Sequence, residues 1–269
     1  PMPRTAATTD ITGQMILLGT GTSVGVPVLG CDCDVCTGGD SRNNRTRCAA
    51  ILGLEGGNLL IDTPPDLRMQ LLREGIGLVH AVLYTHEHAD HLFGLDDLRL
   101  MQFYLDGPVP LYCEPKVAAR IRHSYDYAFL TDTPTHTGAR PRLEIENIST
   151  DPFIALGERV IPIRLNHGPN FDVLGFRVGD VAYCTDVSGV PEESWPLLEG
   201  LDTLLLSALR HEPHITHFSL DQAVEAAKRI GARQTYFTHT SHELDYDTTN
   251  AQLPSGMALA YDGLRIVLR

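Results

Sequence analysis

The sequence lacks any run of 18 consecutive apolar residues, which excludes a transmembrane helix. Basic residues are also few, because 21 Lys and Arg face 34 Asp and Glu and the formal net charge is −13. A surface of that sign repels nucleic acid and anionic membranes unless a local basic patch overrides it. We therefore expect neither a nucleic acid nor a membrane as a partner of this chain.

The first 14 residues lack the apolar segment of a secretory signal, and they contain a single basic residue. We predict a polar N-terminal tail over residues 1–14, followed by a single domain over residues 15–269. The chain has 269 residues, of which 43% are hydrophobic, and this is enough for a core that needs no disulfide bonds.

Three of the six cysteines, Cys31, Cys33 and Cys36, lie within six residues. This spacing is too tight for a regular disulfide framework and suits thiolate coordination of zinc, and it predicts a reducing, cytoplasmic location. A tetrahedral zinc site needs a fourth ligand. The residues alone leave three candidates for it: Cys48, His80 and His242. The remaining cysteines are expected to be core residues rather than ligands: Cys48, Cys113 and Cys184.

Short apolar runs that end in Gly, Asp or His are predicted strands, over residues 15–18, 49–54, 58–61, 81–84, 160–165, 181–184 and 235–237. Helical spacing predicts helices over residues 65–74, 92–104, 115–128 and 220–229. Ser219 or Thr216 could cap the last helix. Residues 131–142, rich in Thr, Pro and Gly, are the best loop candidate. This order of elements predicts an α/β chain with a mixed sheet covered by helices.

The strongest chemical signal is the segment of residues 86–91, which directly follows a predicted strand. Its four ligand-type side chains are His86, His88, Asp90 and His91. Imidazole and carboxylate groups at one strand end can converge on one or two ions of zinc, manganese or iron.

Three further candidate ligands also follow predicted strands, namely His167, Asp186 and His239. Each alone would usually be a structural residue. Functional sites in α/β sheets gather where strands end, so the recurrence predicts that these side chains share one rim.

The pattern H-x-H-x-D-H followed by single His, Asp and His positions resembles the metallo-β-lactamase superfamily. The resemblance covers nearly the whole chain from Met15, and it implies a four-layer αβ/βα sandwich with a dinuclear metal site between two sheets. It implies one metal held by His86, His88 and His167. It implies a second metal held by Asp90, His91 and His239. Asp186 would bridge the two metals, and Asp62 would orient a metal-bound histidine.

The Gly-rich residues 19–27, the cysteine run and residues 238–242 resemble one branch of this superfamily, the PhnP-like cyclic phosphate phosphodiesterases. The resemblance implies that His242 completes a structural Cys₃His zinc site. It also implies catalytic roles for Asp90 and for His217, the latter as a general acid. His211 and His214 stay as alternative acids.

A basic loop with three arginines could meet a substrate phosphate, although each arginine alone also fits a solvated turn: Arg42, Arg45 and Arg47.

The expected function is that of a metal-dependent phosphodiesterase acting on a small, cyclic or linear, phosphate diester. Two divalent metals, zinc or manganese, would activate the attacking hydroxide. Alternatives on the same metals are a tRNA-processing nuclease, a lactonase, a thioesterase and a pyrroloquinoline quinone pathway protein. The segment between His167 and Asp186 is too short for the arm that grips tRNA in the nuclease. A non-catalytic scaffold is a further alternative, and the sequence leaves open whether the chain forms a homodimer.

Overall fold

Two sheets form the framework of this computed structural model, which describes residues 5–132 and 134–269. In chain order the strands are β1 (Gln14–Gly19), β2 (Ala49–Leu54), β3 (Gly57–Ile61), β4 (Ala81–Leu83), β5 (Val109–Cys113), β6 (Leu143–Asn147), β7 (Phe153–Ala155), β8 (Glu158–Asn166), β9 (Asp172–Val178), β10 (Val181–Cys184), β11 (Thr203–Ser207), β12 (Gln234–Thr238), β13 (Met257–Leu259) and β14 (Arg265–Val267). The α-helices are α1 (Asp34–Thr37), α2 (Leu67–Glu74), α3 (Ala89–Leu92), α4 (Pro115–Ser124), α5 (Leu220–Ile230) and α6 (Tyr246–Asn250). Segments of 3₁₀ helix cover Ser41–Asn43, Leu95–Phe103, Asp126–Phe129 and Glu192–Leu198.

Each of the two sheets contains seven strands. The first runs β14-β1-β2-β3-β4-β5-β6 and the second β13-β12-β11-β10-β9-β8-β7. Strands β3 to β6 are parallel in the first sheet, as are β10 to β13 in the second. The other pairings are antiparallel, including the one between β1 and the C-terminal strand β14. Parallel strands bring their carboxyl ends to one edge, so each sheet offers a common rim for ligands.

Side-chain alternation along the strands creates a four-layer sandwich. In β1, Met15 and Leu17 pack between the sheets, whereas Ile16 and Leu18 pack on the outer face. The outer faces are covered by helices, among them α2 and α4 on the first sheet and α5 on the second. Strands that are buried on both faces have continuous apolar sequences, and this is why such strands can be recognised in the amino-acid sequence. The predicted αβ/βα sandwich is confirmed.

Two predicted helices differ in the structure. In place of the helix predicted over residues 92–104, the structure has α3, which ends at Leu92, and a 3₁₀ segment that begins at Leu95. The helix is interrupted between these two segments because the Gly94 N–H donates to the Thr63 carbonyl at 2.8 Å. A Cβ at Gly94 would lie 2.0 Å from the Pro64 carbonyl oxygen, so the chain can pass there only with glycine. The helix predicted over residues 115–128 ends at Ser124, where Tyr125 leaves the helical conformation and enters the core.

The predicted tail contacts the domain before residue 15. Ile11 is buried in the core, and the Thr9 N–H donates to the Gly75 carbonyl at 2.8 Å. Residues 1–4 of that tail and Thr133 of the predicted loop lie outside the described residues; elsewhere the loop over residues 131–142 has no helix or strand. Within the described part of the chain, every helix is too short or too polar to cross a bilayer.

Helix α5 begins with a capping box at Ser219. The Ser219 Oγ accepts from the Gln222 N–H, and the Gln222 Oε1 accepts from the Ser219 N–H. These two bonds satisfy N–H groups that have no partner inside the helix. Of the two predicted caps, Ser219 is therefore the observed one.

Ser219→Ala should lower the free energy of unfolding by about 1 kcal/mol, because it removes the acceptor at the N-cap. The urea midpoint of the metal-loaded protein measures this loss. Lys228→Ala, on the exposed side of the same helix, should change stability by less than about 0.5 kcal/mol. Equal effects of the two substitutions would contradict a specific role for the cap.

Candidate metal centres

Ends of strands from both sheets bring the predicted ligands into two groups. In each group the ligand atoms all lie within 4.8 Å of one another. The first group, called cluster A below, contains His86, His88, His167 and Asp186. The second, cluster B, contains Asp90, His91, Asp186 and His239. These are the two sets that the sequence pattern implied, with Asp186 common to both.

The two oxygens of Asp186 face different clusters. Its Oδ2 lies 3.8 Å from His86 Nε2 and 3.7 Å from His167 Nε2 in cluster A. Its Oδ1 lies 3.2 Å from His91 Nε2 and 3.5 Å from His239 Nε2 in cluster B. One carboxylate placed in this way can bind two cations at once.

Three residues of the site adopt positive φ angles that residues other than glycine rarely adopt. The angles are 64° at Asp62, 57° at Asp186 and 56° at His239. Asp62 and His239 directly follow β3 and β12, and Asp186 lies two residues after the end of β10. The left-handed turn costs about 1–3 kcal/mol at each position, and such strain is concentrated at functional sites.

Hydrogen bonds donated by Nδ1–H groups fix the orientation of two histidine rings. The His91 Nδ1–H donates to Asp62 Oδ2 at 2.7 Å, and the His167 Nδ1–H donates to the Thr216 carbonyl at 2.7 Å. The Nε2 atoms consequently point into the clusters. Asp62 also accepts from the N–H and the hydroxyl of Thr85, which holds its carboxylate in place. Partners of this kind typically set ring orientation and metal affinity.

The electrostatics of the clusters fit divalent cations. Burial opposes ionisation of Asp186, but His239 and His91 hold its pKa well below the usual range. Burial and the nearby His91 lower the pKa of His86, which favours the neutral imidazole that metals bind. His91 Nε2 and His239 Nε2 are buried with no hydrogen-bond partner among the described residues. A bound cation would satisfy these atoms.

A third group joins Cys31, Cys33 and Cys36 to His242, again with all ligand atoms within 4.8 Å. His242 Nδ1 lies 3.3 Å from the sulfur atoms of Cys31 and Cys33. Hydrogen bonds from the Cys36 backbone and from His242 lower the pKa of Cys33 to about 6, which favours the thiolate that zinc requires. Three thiolates and one imidazole match a closed structural zinc site.

The other two candidates for the fourth ligand lie outside this group. Cys48 is buried and contacts the Gly21 carbonyl, and His80 Nδ1 accepts from the Asn58 N–H. The predicted core cysteines Cys48, Cys113 and Cys184 are all buried.

His217 lies beside both clusters, since its ring centroid is 4.7 Å from that of His167 and 4.7 Å from that of His239. Burial and repulsion from His239 lower the pKa of His217 to about 3, so its ring is neutral near pH 7. His214 is exposed and 5.4 Å away from the His217 ring, and His211 is also exposed. Of the three candidate acids, His217 is nearest to the clusters.

The arginines of the basic loop are used within the fold. The buried Arg45 donates to the carbonyls of Ser241 and Leu244, which flank His242. The other two pair with carboxylates: Arg42 with Asp40 and Asp247, and Arg47 with Asp66. The arginines of this loop thus already pair with oxygens of the protein itself, and a contact between the loop and a substrate phosphate stays a prediction.

Sequence reasoning missed two contacts of the site. The Phe171 ring stacks on the exposed His88 ring at 4.8 Å, and its carbonyl accepts from the His167 N–H at 2.7 Å. Thr85 directly precedes His86, so the sequence could have indicated that its hydroxyl contacts the site. Phe171 has no comparable signal, because only the turn after β8 brings it to cluster A.

A family model described as the β-lactamase superfamily domain matches residues 57–240. The chain belongs to this superfamily. A solved structure described as a new diphosphatase from the PhnP family is 41% identical with a TM-score of 0.88, and the match covers 94% of this chain and 96% of that one. The predicted metallo-β-lactamase membership and its PhnP-like branch are thereby confirmed, and the chain is a metal-dependent hydrolase.

Two further relatives are more distant or only partly matched. An octanoyltransferase of Porphyromonas gingivalis is 35% identical over 95% of this chain, but the chain spans only 51% of that relative's length. The zinc-bound PqqB of Methylobacterium extorquens has a TM-score of 0.75 at 20% identity, with 95% of this chain and 100% of that one covered. At this identity the likeness to PqqB shows the fold alone.

We expect three metals per chain, two in clusters A and B and one in the thiolate group. Cys33→Ser should remove one metal and lower the melting temperature, because a structural zinc contributes directly to folding. Elemental analysis and thermal unfolding measure both effects. Cys113→Ala, at a buried cysteine outside the group, should keep three metals. A full zinc content and an unchanged melting temperature in Cys33→Ser would contradict the predicted structural zinc site.

Proposed function

We propose that this hydrolase is a phosphodiesterase for small phosphate diesters, cyclic diesters included. The observation that carries the proposal is Asp186, whose two oxygens face two separate groups of ligands. Two cations held a few ångströms apart suit in-line displacement at phosphorus. The likeness to a PhnP-family diphosphatase supports phosphate chemistry over that of a lactonase or a thioesterase.

A pair of divalent cations, zinc or manganese, would supply Lewis-acid activation of water and neutralise the phosphoryl charge. In this proposal cluster A and cluster B hold one cation each, and Asp186 sets their separation. Burial opposes ionisation of Asp90, but His91 and His239 keep its pKa below the usual range. The ionised Asp90 can therefore accept a hydrogen bond from the attacking water and orient it for catalysis.

His217 would act on the leaving group. Its neutral ring can donate a hydrogen bond to an oxygen of the substrate, and a phosphoryl anion beside it would raise its affinity for a proton. His217 would take up a proton from solvent as the substrate binds, and the imidazolium would pass that proton to the departing alkoxide and return to the neutral ring. This role needs no imidazolium in the free enzyme, which agrees with the lowered pKa of His217.

The segment between His167 and Asp186 argues against a tRNA-processing nuclease. Strands β9 and β10 occupy most of it as an antiparallel pair within the second sheet. The net charge of −13 also disfavours RNA. A panel of cyclic and linear phosphodiesters, assayed after reconstitution with zinc or manganese, tests the proposal, and metal binding with no hydrolysis across that panel would favour a scaffold.

Asp186→Asn should lower the hydrolytic rate by several orders of magnitude, because the amide removes the charge shared by both clusters. The rate on a nitrophenyl phosphodiester and the bound metal measure this. Asp180→Asn, before the opposite end of β10, is the matched control and should leave both unchanged. If Asp186→Asn retained more than about a tenth of the rate, a loss of less than about 1.4 kcal/mol, the shared-carboxylate assignment would be wrong.

His217→Ala should keep its metals and affect substrates according to their leaving groups. A general acid contributes roughly 10²- to 10⁴-fold, and nitrophenolate leaves without a proton. We therefore expect a small loss on a nitrophenyl diester and a large loss on a cyclic alkyl phosphate. His167→Ala should damage both reactions alike, because it removes a cluster A ligand. Equal losses on both substrates for His217→Ala would shift the acid role to His211 or His214.

A further inference from the structure

One histidine of cluster A, His88, is not oriented by a hydrogen bond. Its Nδ1 faces the cluster, since it lies 3.0 Å from His86 Nε2, and its Nε2 is therefore the outer nitrogen. Among residues 5–132 and 134–269, this outer nitrogen has no hydrogen-bond partner. The outer nitrogens of the other two histidines are held, that of His86 by the Thr85 hydroxyl at 2.9 Å and that of His167 by the Thr216 carbonyl at 2.7 Å. His88 is also exposed, so it is not enclosed by packing either.

The ring of Phe171 covers one face of the His88 ring. The two rings are nearly parallel, with 16° between their planes and 4.8 Å between their centroids. His86 and His167 meet the same phenyl ring in T-shaped arrangements, at 6.0 and 5.7 Å between centroids. Both arrangements are favourable for aromatic rings. Phe171 thus interacts with every histidine of cluster A, and it lies flat only on the one that lacks a hydrogen bond.

Cluster B shows the same relation between stacking and hydrogen bonding. The His91 Nδ1–H donates to Asp62, whereas His239 Nδ1 is buried without a hydrogen-bond partner in the described part of the chain. The ring of His217 stacks on that of His239, with 4.7 Å between centroids and 18° between planes. In each cluster, therefore, a ligand histidine whose outer nitrogen is not hydrogen-bonded is covered by a nearly parallel ring.

Lys116 holds the Phe171 ring in place. Its ammonium nitrogen lies 4.4 Å from the centre of that ring, which is a cation–π contact, and it donates to the Asp172 carbonyl at 2.7 Å. Lys116 lies in the first turn of α4, and Glu114 just before this helix forms two hydrogen bonds with Arg164 of β8, at 2.9 and 2.5 Å. Since α4 covers the first sheet and β8 belongs to the second, these contacts fix the β8–β9 turn against the sheet that supplies His88.

We propose that Phe171, held by Lys116, is a positioning residue that keeps the His88 ring in the orientation in which its Nδ1 binds the cation of cluster A. Rotation about the Cβ–Cγ bond of a histidine is soft. A hydrogen bond restricts this rotation in His91 and His167, and the stacked ring restricts it in His88. A ligand that is ordered beforehand loses less conformational entropy when the metal binds. The proposal concerns the metal centre and does not depend on which ester is hydrolysed.

The test measures the binding of Mn²⁺ alone, with no substrate present. A chelator empties clusters A and B while the thiolate group keeps its metal, and electron paramagnetic resonance then measures free Mn²⁺ during a titration. The product of the two dissociation constants reports a loss of affinity at either cluster. Phe171→Leu should raise this product by about 2- to 10-fold, the value of one stacked pair of rings. Phe171→Tyr keeps the ring and should leave the product unchanged.

A double-mutant cycle with His88→Ala separates positioning of the ligand from a general effect on the fold. Where the His88 ring is absent, Phe171→Leu should change the product of the dissociation constants by less than about 2-fold. Phe153→Leu is the matched control, because it removes a half-buried ring that stacks on Tyr112 at 5.0 Å rather than on a ligand. This control should leave Mn²⁺ binding unchanged.

Lys116→Met tests whether the lysine acts through the phenyl ring. The substitution also removes a positive charge that repels the cations, so its effect is compared in the wild-type protein and in Phe171→Leu. The change in repulsion is common to both, and the difference between them is the part that needs the ring. The product should rise by about 2- to 5-fold more in the wild-type background. Equal effects in both backgrounds would show that Lys116 does not hold Phe171 in position.

Three results would overturn the role of Phe171: an unchanged product in Phe171→Leu, the same rise with and without the His88 ring, or the same rise in Phe171→Tyr as in Phe171→Leu. None of them depends on turnover. If no phosphodiester is hydrolysed but the cycle shows the expected coupling, the phosphodiesterase function fails and the role of Phe171 stands. If diesters are hydrolysed but the coupling is absent, the role of Phe171 fails and the function stands.

Discussion

Asp186 imposes the constraint on which the rest of the site depends, because one carboxylate must face two groups of ligands. Neither sheet supplies a complete group. The segment after β4 gives the first sheet's ligands to both clusters, and the ends of β8, β10 and β12 give those of the second sheet. The distances between ligands are thus set by how the two sheets pack. The apolar side chains between the sheets, such as Leu17 and Phe176, are consequently part of what makes the site rigid.

The arginines of the basic loop stabilise the fold of this acidic protein. Arg45 is almost fully buried, and burial lowers its pKa to about 10. It holds the carbonyls on either side of His242, and so it ties the thiolate group to the segment that also bears His239. Arg210 differs from it because its guanidinium is about one-third exposed and faces a cavity. Sequence spacing does not distinguish these two environments.

Much of the framework was predictable because its strands are buried on both faces. The runs over residues 49–54 and 181–184 coincide with β2 and β10. Short edge strands such as β13 and β14 carry only three residues each, too few for a pattern. The interruption of the helix predicted over residues 92–104 depends on a distant carbonyl, that of Thr63. The geometric grouping of the candidate ligands could be anticipated since each one follows a strand, whereas Phe171 enters the site through tertiary contacts alone.

The pairing of β14 with β1 links the two ends of the described chain within one sheet. On that side β1 has no neighbour until Arg265 to Val267 have been synthesised, so the backbone N–H and C=O groups of this edge stay available to other chains until then. An unpaired strand of this kind, with Met15 to Leu18 all apolar, is prone to edge-to-edge aggregation. Synthesis of β14 therefore decides whether the nascent chain closes this edge of its first sheet.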